Sequence, residues 1–277
     1  MEGFQPAFLD GCEVPLPEPH AAIRPALFAG GEPVHHSRLS LIFNAERGFA
    51  AVTAHNIDGA TVIPEGVIPL KRRFRFDPLV PRELQVDNNQ GYRFNPYDRG
   101  HLAQRRAFHW GDVDAARQAD NESFFWTNIA PQHENLNGTP WARIESWMLD
   151  VADDADKRAS VFTGPVFTPT DPELVNLPGE SPFRLPAGFW KVIAVKHGGR
   201  LRAAAFLAWQ RDFARPEPLP FDPVLEQVRL TTIEFLTGLG FPALAEADPL
   251  RFDERLADAS GTPNRPVCVM EPTDICL

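Results

Sequence analysis

No uninterrupted apolar run in this chain of 277 residues approaches the roughly 18 needed to cross a membrane. The longest, Ala203 to Trp209, has seven residues. The N-terminal stretch lacks a basic segment followed by an apolar one, so no secretory signal is expected. Cysteine is scarce. Cys12, Cys268 and Cys276 form neither a metal-ligand spacing nor an even disulfide set, which predicts reduced thiols. Cys276 is second from the end and makes no prenylation box. No internal repeat is present. These absences predict a soluble, cytoplasmic protein with no membrane partner.

Positive charge is also in short supply, because the formal net charge is −10. A chain so acidic repels nucleic acid as a whole. The balance is uneven, however. Between Lys71 and Arg117 ten basic residues face six acidic ones, a net +4 that leaves −14 for the rest. An acidic body with one arginine-rich segment can hold a phosphate at one place. Charge counts alone fit a solvated face better, so the asymmetry permits a phosphate site without showing one.

What is present supports a folded core, since 43% of the residues are hydrophobic. His36–Phe43 and Gly48–His55 read as a hairpin around Asn44–Arg47. Phe124–Ile129 and Ser160–Phe167 read as short strands, with Gly164–Pro165 marking a bend in the second. Phe189–Val195 and Leu201–Trp209 flank the turn His197–Arg200. Trp141 to Val151 carries Trp141, Ile144, Met148 and Val151 at helical spacing, with Thr139 as N-cap and Pro140 in the first turn. Asp222 to Leu236 reads as a second helix stopped by Gly238 and Gly240. Four prolines between Arg215 and Pro223 suggest a linker, but the remainder of the chain is too small for an independent domain. The expectation is one α+β domain over residues 1–277, with a mixed or antiparallel sheet and flanking helices. Residues 1–35 form an irregular N-terminal extension and residues 249–277 a tail.

The most specific signal is Tyr97–Asp98–Arg99–Gly100–His101. Alone, Asp-Arg-Gly-His is a turn with an ion pair, in which Asp98 pairs with an arginine. It is followed by FFWTNIAPQ (Phe124–Gln132) and LNGTPWARIES (Leu136–Ser146). DRGH, then TN-x-x-PQ, then LN with W-x-x-x-E resembles the DNA/RNA non-specific endonuclease family, ββα-metal nucleases related to endonuclease G. The likeness is strongest from Arg72 to Met148 and extends weakly to His36–Gly59, VFTGPVF and FWKVIAV. The run DRGHL-x-x-R-R followed by Trp110–Gly111–Asp112 looks like a bacterial branch. Asn137–Gly138–Thr139–Pro140 departs from the LNQ of many relatives, which predicts a different local backbone there.

The resemblance implies a ββα-metal site. His101 would be the general base, Asn137 the direct ligand of Mg²⁺ (or Mn²⁺ in its place), and Glu145 the carboxylate holding metal-bound water. Arg99 would lie near the substrate phosphate and Asn128 would support the site. Arg72, Arg73 and Arg75 are alternatives for an upstream phosphate contact. The chemistry is compatible: an unperturbed imidazole titrates near pH 6.5, and Mg²⁺ keeps several waters beside few protein ligands. Asn137 and Glu145, if both helical, differ by about 80° around the axis and could share one wall of a cleft. Trp126, Trp141 and Trp147 are expected in the core, and His109, His133 and His197 at the surface. The expected activity is Mg²⁺-dependent cleavage of DNA, RNA or both to 5′-phosphate and 3′-hydroxyl ends. The alternative is a catalytically weak nucleic-acid-binding or partner-interaction module. A nuclease without a secretion signal would need control, so an inhibitory or activating protein partner is expected, with residues 1–35 and 249–277 as its contacts.

Overall fold

Several strands of this protein are buried along nearly their whole length, which requires a sheet covered on both faces. Phe49–Asp58 is buried at every position, and Gly188–His197 at its first eight. A computed structural model of the chain describes residues 3–71, 73–154, 158–210, 223–252, 267–269 and 274–276. Its centre is an eight-stranded antiparallel sheet. From one edge the order is Val267–Cys268, Leu225–Val228, Arg200–Trp209, Gly188–His197, Arg158–Val166, Phe49–Asp58, Leu39–Asn44 and Val34–His35. The architecture is α+β, as expected, and the sheet is antiparallel throughout.

Alternation along each strand divides the core in two. One face carries Leu41, Phe43, Ile57, Val161, Phe189, Ile193 and Phe206, and packs against Trp126, Trp141, Ile144 and Met148. The other carries Ile42, Val52, Phe162, Trp190, Val192 and Leu207. Phe4, Phe8, Leu9, Val14, Ile233 and Phe241 cover this second face. The three tryptophans assigned to the core are buried.

Several expectations need correction. Residues 3–35 are not a peripheral lead-in: the Phe4 and Phe162 rings lie 5.2 Å apart, and Ser40 Oγ accepts from Phe4 N at 2.8 Å. The described parts of 249–277 are also built in. Leu250 is buried, Val269 lies in the first core, and Gln227 exchanges two 2.8 Å hydrogen bonds with the Cys276 backbone. Gly164–Pro165 does not interrupt the strand, which runs unbroken from Arg158 to Val166. Glycine is needed there for close approach: a Cβ would strike Ala51 O and the Trp190 ring. The proline-rich stretch 211–222 lies outside the described residues. After it Leu225–Val228 is a strand, and the helix is confined to Leu230–Thr237. The open edge of Arg200–Trp209 captures Leu225–Val228 and overrides its helical pattern. His109 is buried, hydrogen-bonded through Nε2 to Asp120 Oδ1 at 2.7 Å.

Asp77 ties two distant segments together beneath this framework. Its Oδ2 accepts from Thr127 Oγ1 at 2.7 Å and bonds His36 Nε2 at 2.8 Å, while Oδ1 accepts from Leu79 N at 2.9 Å. Burial pushes the carboxyl up, but the His36 contact and these hydrogen bonds prevail and hold it below its ordinary 3.8. A depressed carboxyl stabilises the fold above its unfolded value and loses that contribution as the pH falls through the folded one. Asp77→Asn, with one acceptor too few, should cost about 2 kcal/mol at pH 7. Urea unfolding at pH 7 and pH 3 should show the gap from wild type narrowing at the lower pH.

Candidate active site

Tyr97–His101 pairs antiparallel with Ile129–His133, and a helical segment leaves directly from the second strand. Two strands and a helix therefore hold Arg99, His101, Asn137 and Glu145. The helical segment begins at Glu134, where His133 Nδ1 accepts from Asn135 N at 3.2 Å. It passes through a π-helical turn at Asn137–Trp141 and continues as Ala142–Asp154. Thr139 is thus inside the helix and not its cap. Pro140 brings no N–H to the ladder, so the wider turn sits where the regular pattern cannot be completed. Asn137 is helical, with φ −64° and ψ −39°.

His101 ends its strand against two rings. Phe124 meets it edge-on at 5.1 Å and Phe74 lies tilted at 6.0 Å. Arg99, exposed, lies 4.8 Å over the same Phe74 ring and donates from Nη1 to Asn88 Oδ1 at 3.4 Å. Gly100 between them is required by packing, because a Cβ would drive into the Gln132 side chain opposite.

Phe124–Ile129 is not the single strand its composition suggests. Trp126–Asn128 forms a 3₁₀ turn before the strand begins at Ile129. The reason is Asn128, fully buried, whose side chain serves the backbone of other segments. Its Oδ1 accepts from Ala103 N, and its Nδ2 donates to Ala103 O and Ser123 O, each at 2.9 Å. Its carbonyl accepts from Leu102 N, also at 2.9 Å. Asn128 therefore braces the two residues after His101 and has no exposure to a substrate.

The helix is tied to the same loop at two points. Asn137 Nδ2 donates to Asp98 Oδ2 at 3.0 Å, so an amide holds Asp98, where an arginine was expected; among the described residues no arginine pairs with it. Gln104 Nε2 donates to Glu145 O at 3.1 Å. The Glu145 carboxylate turns inward, with Oε1 3.8 Å from Lys191 Nζ. Burial raises the Glu145 carboxyl above the usual glutamate range, opposed by the Lys191 charge, and burial lowers the Lys191 ammonium. His55, buried nearby, is pushed down to about 3 by burial and by Lys191, which leaves it neutral at ordinary pH.

The upstream arginines separate. Phe74 points to His101 and Arg99, whereas Arg75, the next residue, stacks 4.3 Å over Phe125. Arg73 is exposed and its carbonyl accepts from Arg75 Nη1 at 3.4 Å. Arg72 lies outside the described residues. Two participants were not evident from sequence. Phe74 lies among arginines, and Lys191 lies within FWKVIAV. A lysine inside an apolar strand was the available signal.

The donor set suits a hard divalent cation held by few protein oxygens. Asn137 keeps its amide oxygen beside the exposed Asp98 carboxylate, and neutral or single carboxylate oxygens with retained waters are what Mg²⁺ accepts. Among the described residues no cluster of three His, Cys, Asp or Glu side chains forms a closed cage.

The chain matches the family model described as DNA/RNA non-specific endonuclease over residues 24–244. It is 33% identical over 242 residues to the uncharacterized protein y4fB of Sinorhizobium fredii, covering 80% of this chain and 35% of that protein. It is 29% identical over 178 residues to the mitochondrial nuclease EXOG of Xenopus laevis, covering 61% and 47% respectively. To the nuclease of Serratia marcescens it is 33% identical over 147 residues, covering 51% and 49%. The chain thus spans 35% to 49% of the length of these relatives. Among solved structures it is similar to a chain from the EndoG/EndoGI complex, with a TM-score of 0.58 and 20% identity over 79% of this chain and 89% of that one. That likeness is one of fold.

Asn128→Ala removes three buried hydrogen bonds at once and leaves backbone groups of Ala103 and Ser123 unmet. A loss of about 3 kcal/mol is expected, seen as a fall of several degrees in the thermal midpoint. Asn128→Asp, of equal size, should be destabilising as well, since a carboxylate cannot donate to two carbonyls. Calorimetry of the two variants against wild type checks both.

Proposed function

Because this chain belongs to the DNA/RNA non-specific endonuclease family, we propose that it is a Mg²⁺-dependent endonuclease. It hydrolyses phosphodiester bonds of DNA, RNA or both to 5′-phosphate and 3′-hydroxyl ends. One observation carries this reading: a two-strand and helix unit holds Arg99 and His101 on one strand and links that strand through Asp98 to Asn137.

In this mechanism the His101 imidazole takes a proton from water as the water oxygen bonds to phosphorus and the bond to the 3′-oxygen breaks. Phe74 and Phe124 hold the ring in place, and Asn128 fixes the chain just beyond it. Arg99, exposed beside them, supplies a fork of N–H donors to the phosphate oxygens. Arg73 is also exposed and is a second phosphate contact, with Arg72 the remaining upstream candidate. Arg75, stacked on Phe125, is the poorest of the three. Asn137 would hold Mg²⁺, or Mn²⁺ in its place, with Glu145 on its water, and the ion's chemistry there would be positive charge for the transition state and the leaving oxygen.

The cytoplasm is the proposed setting. Among the described residues no helix is long and apolar enough to cross a membrane. A nuclease there needs control, and a protein partner that covers the cleft would supply it. The fold neighbour was solved as an inhibited complex, which supports looking for such a partner. Within the proposed contact 1–35, Phe4, Phe8, Leu9, Val14 and Leu27 are already used in the core, which leaves the exposed positions between them for a partner.

Plasmid cleavage with Mg²⁺, with and without EDTA, separates the enzyme from a binding module. Cleavage abolished by EDTA is expected, and folded protein that binds plasmid without cutting it would favour the module. His101→Ala should lower turnover by about 10²–10⁴, and a folded variant with near-normal turnover would refute its role. Asn137→Ala should raise the Mg²⁺ concentration required, and Glu145→Ala should do so less sharply. An unchanged metal response in Asn137→Ala would place the ligand elsewhere. Binding should weaken as salt rises, with similar cutting of duplexes that differ only in sequence. A single sharply preferred site would contradict backbone recognition. For control, bacteria expressing the unaltered chain should lose viability if no partner restrains it. Healthy cells yielding fully active protein would remove the need for one.

A further inference from the structure

A fully buried lysine in the middle of a sheet needs a physical reason. Lys191 is 0% exposed on the strand Gly188–His197. Its ammonium donates to Thr163 Oγ1 at 3.0 Å, stands 3.8 Å from Glu145 Oε1, and lies 5.1 Å over the Trp141 ring. The strand register sets Lys191 opposite Thr163 and Thr163 opposite Thr53, whose hydroxyl donates to Thr163 O at 3.1 Å. The lysine is thereby anchored in the central, doubly covered part of the sheet. Glu145 lies on the helix Ala142–Asp154, just beyond the π-helical turn at Asn137–Trp141.

Buried ion pairs are often matched or exceeded in stability by apolar residues of the same volume, so stability alone is a weak reason for this pair. What the pair provides is position. The Glu145 side chain keeps 16% exposure while Lys191 keeps none, so one edge of the carboxylate meets the ammonium and part of the side chain still reaches solvent. We infer that Lys191 is a positioning residue for Glu145: it captures Oε1 from the rigid sheet, fixes the carboxylate, and leaves Oε2 for the water of the metal site. The inference rests on the endonuclease reading, within which Lys191 touches neither substrate nor metal and acts only through Glu145.

The test uses Mn²⁺ binding to the full chain without nucleic acid, read by electron paramagnetic resonance, with plasmid cleavage measured in parallel. Lys191→Met should weaken Mn²⁺ binding by about tenfold, as expected when a residue that orients a metal-site group is lost. In a Glu145→Gln background the same change should add little, because the group it acts through is already altered. Thr163→Val keeps both charges and removes the hydroxyl that holds Lys191, so it should weaken binding in the same direction. It decides the matter if Lys191→Met fails to fold. Wild-type Mn²⁺ affinity in folded Lys191→Met, or in Thr163→Val where the first does not fold, would overturn the inference. An equal loss with and without the Glu145 change would overturn it too. A wild type that neither binds Mn²⁺ nor cuts plasmid would remove the endonuclease reading and this inference together, whereas an active wild type with indifferent variants removes the inference alone.

Discussion

The side chain of Asn128 is the constraint on which the candidate site depends. Fully buried, it satisfies three backbone groups on two other segments, and its carbonyl satisfies a fourth. Buried backbone groups must find partners, and the chain after His101 runs through a region where no strand is available to supply them. Asn128 substitutes for that strand. It fixes the exit of Tyr97–His101 and forces the 3₁₀ turn that starts Ile129–His133. Thr127, its neighbour, bonds Asp77, so the same turn is tied to the His36 end of the sheet.

From that brace outward the site is a set of short links between elements of different rigidity. The helical segment is joined to the His101 strand by Asn137 to Asp98, and to the chain just after that strand by Glu145 O to Gln104. It is joined to the sheet by Glu145 and Lys191. The π-helical turn between Asn137 and Trp141 lies between these attachments. A local irregularity of this kind lets the amide and the carboxylate be set by their own partners, where one regular helix would fix their relation.

Charge is arranged on the same principle. An acidic chain keeps its arginines where aromatic faces can carry them: Arg99 over Phe74, Arg75 over Phe125, Arg38 over Trp110. Stacking holds the guanidinium plane in place while leaving donors at its edge. Of these, Arg99 shares its ring with His101, and that shared ring is what places a cation beside the imidazole.

Sequence alone dictated the α+β class and the two long hairpins through alternating apolar patterns. The family resemblance carried by its motifs pointed to a ββα unit, though the tetrad Asp98–His101 read by itself as a turn and is part of a strand. Local sequence signals failed where distant segments supplied the decisive partner. Leu225–Val228 read as helix and became a strand at an open sheet edge. Phe124–Asn128 read as strand and was turned by the hydrogen bonds of Asn128. Residues 3–35 read as an extension, yet their scattered Phe4, Phe8, Leu9 and Val14 cover a sheet face that local pattern cannot reveal. Tertiary structure also decided that Arg75 leaves the side Phe74 faces, that Asp98 holds Asn137, and that Lys191 meets Glu145. Each is a contact between residues far apart in the chain or on opposite sides of one short segment, and spacing along a sequence carries no information about either.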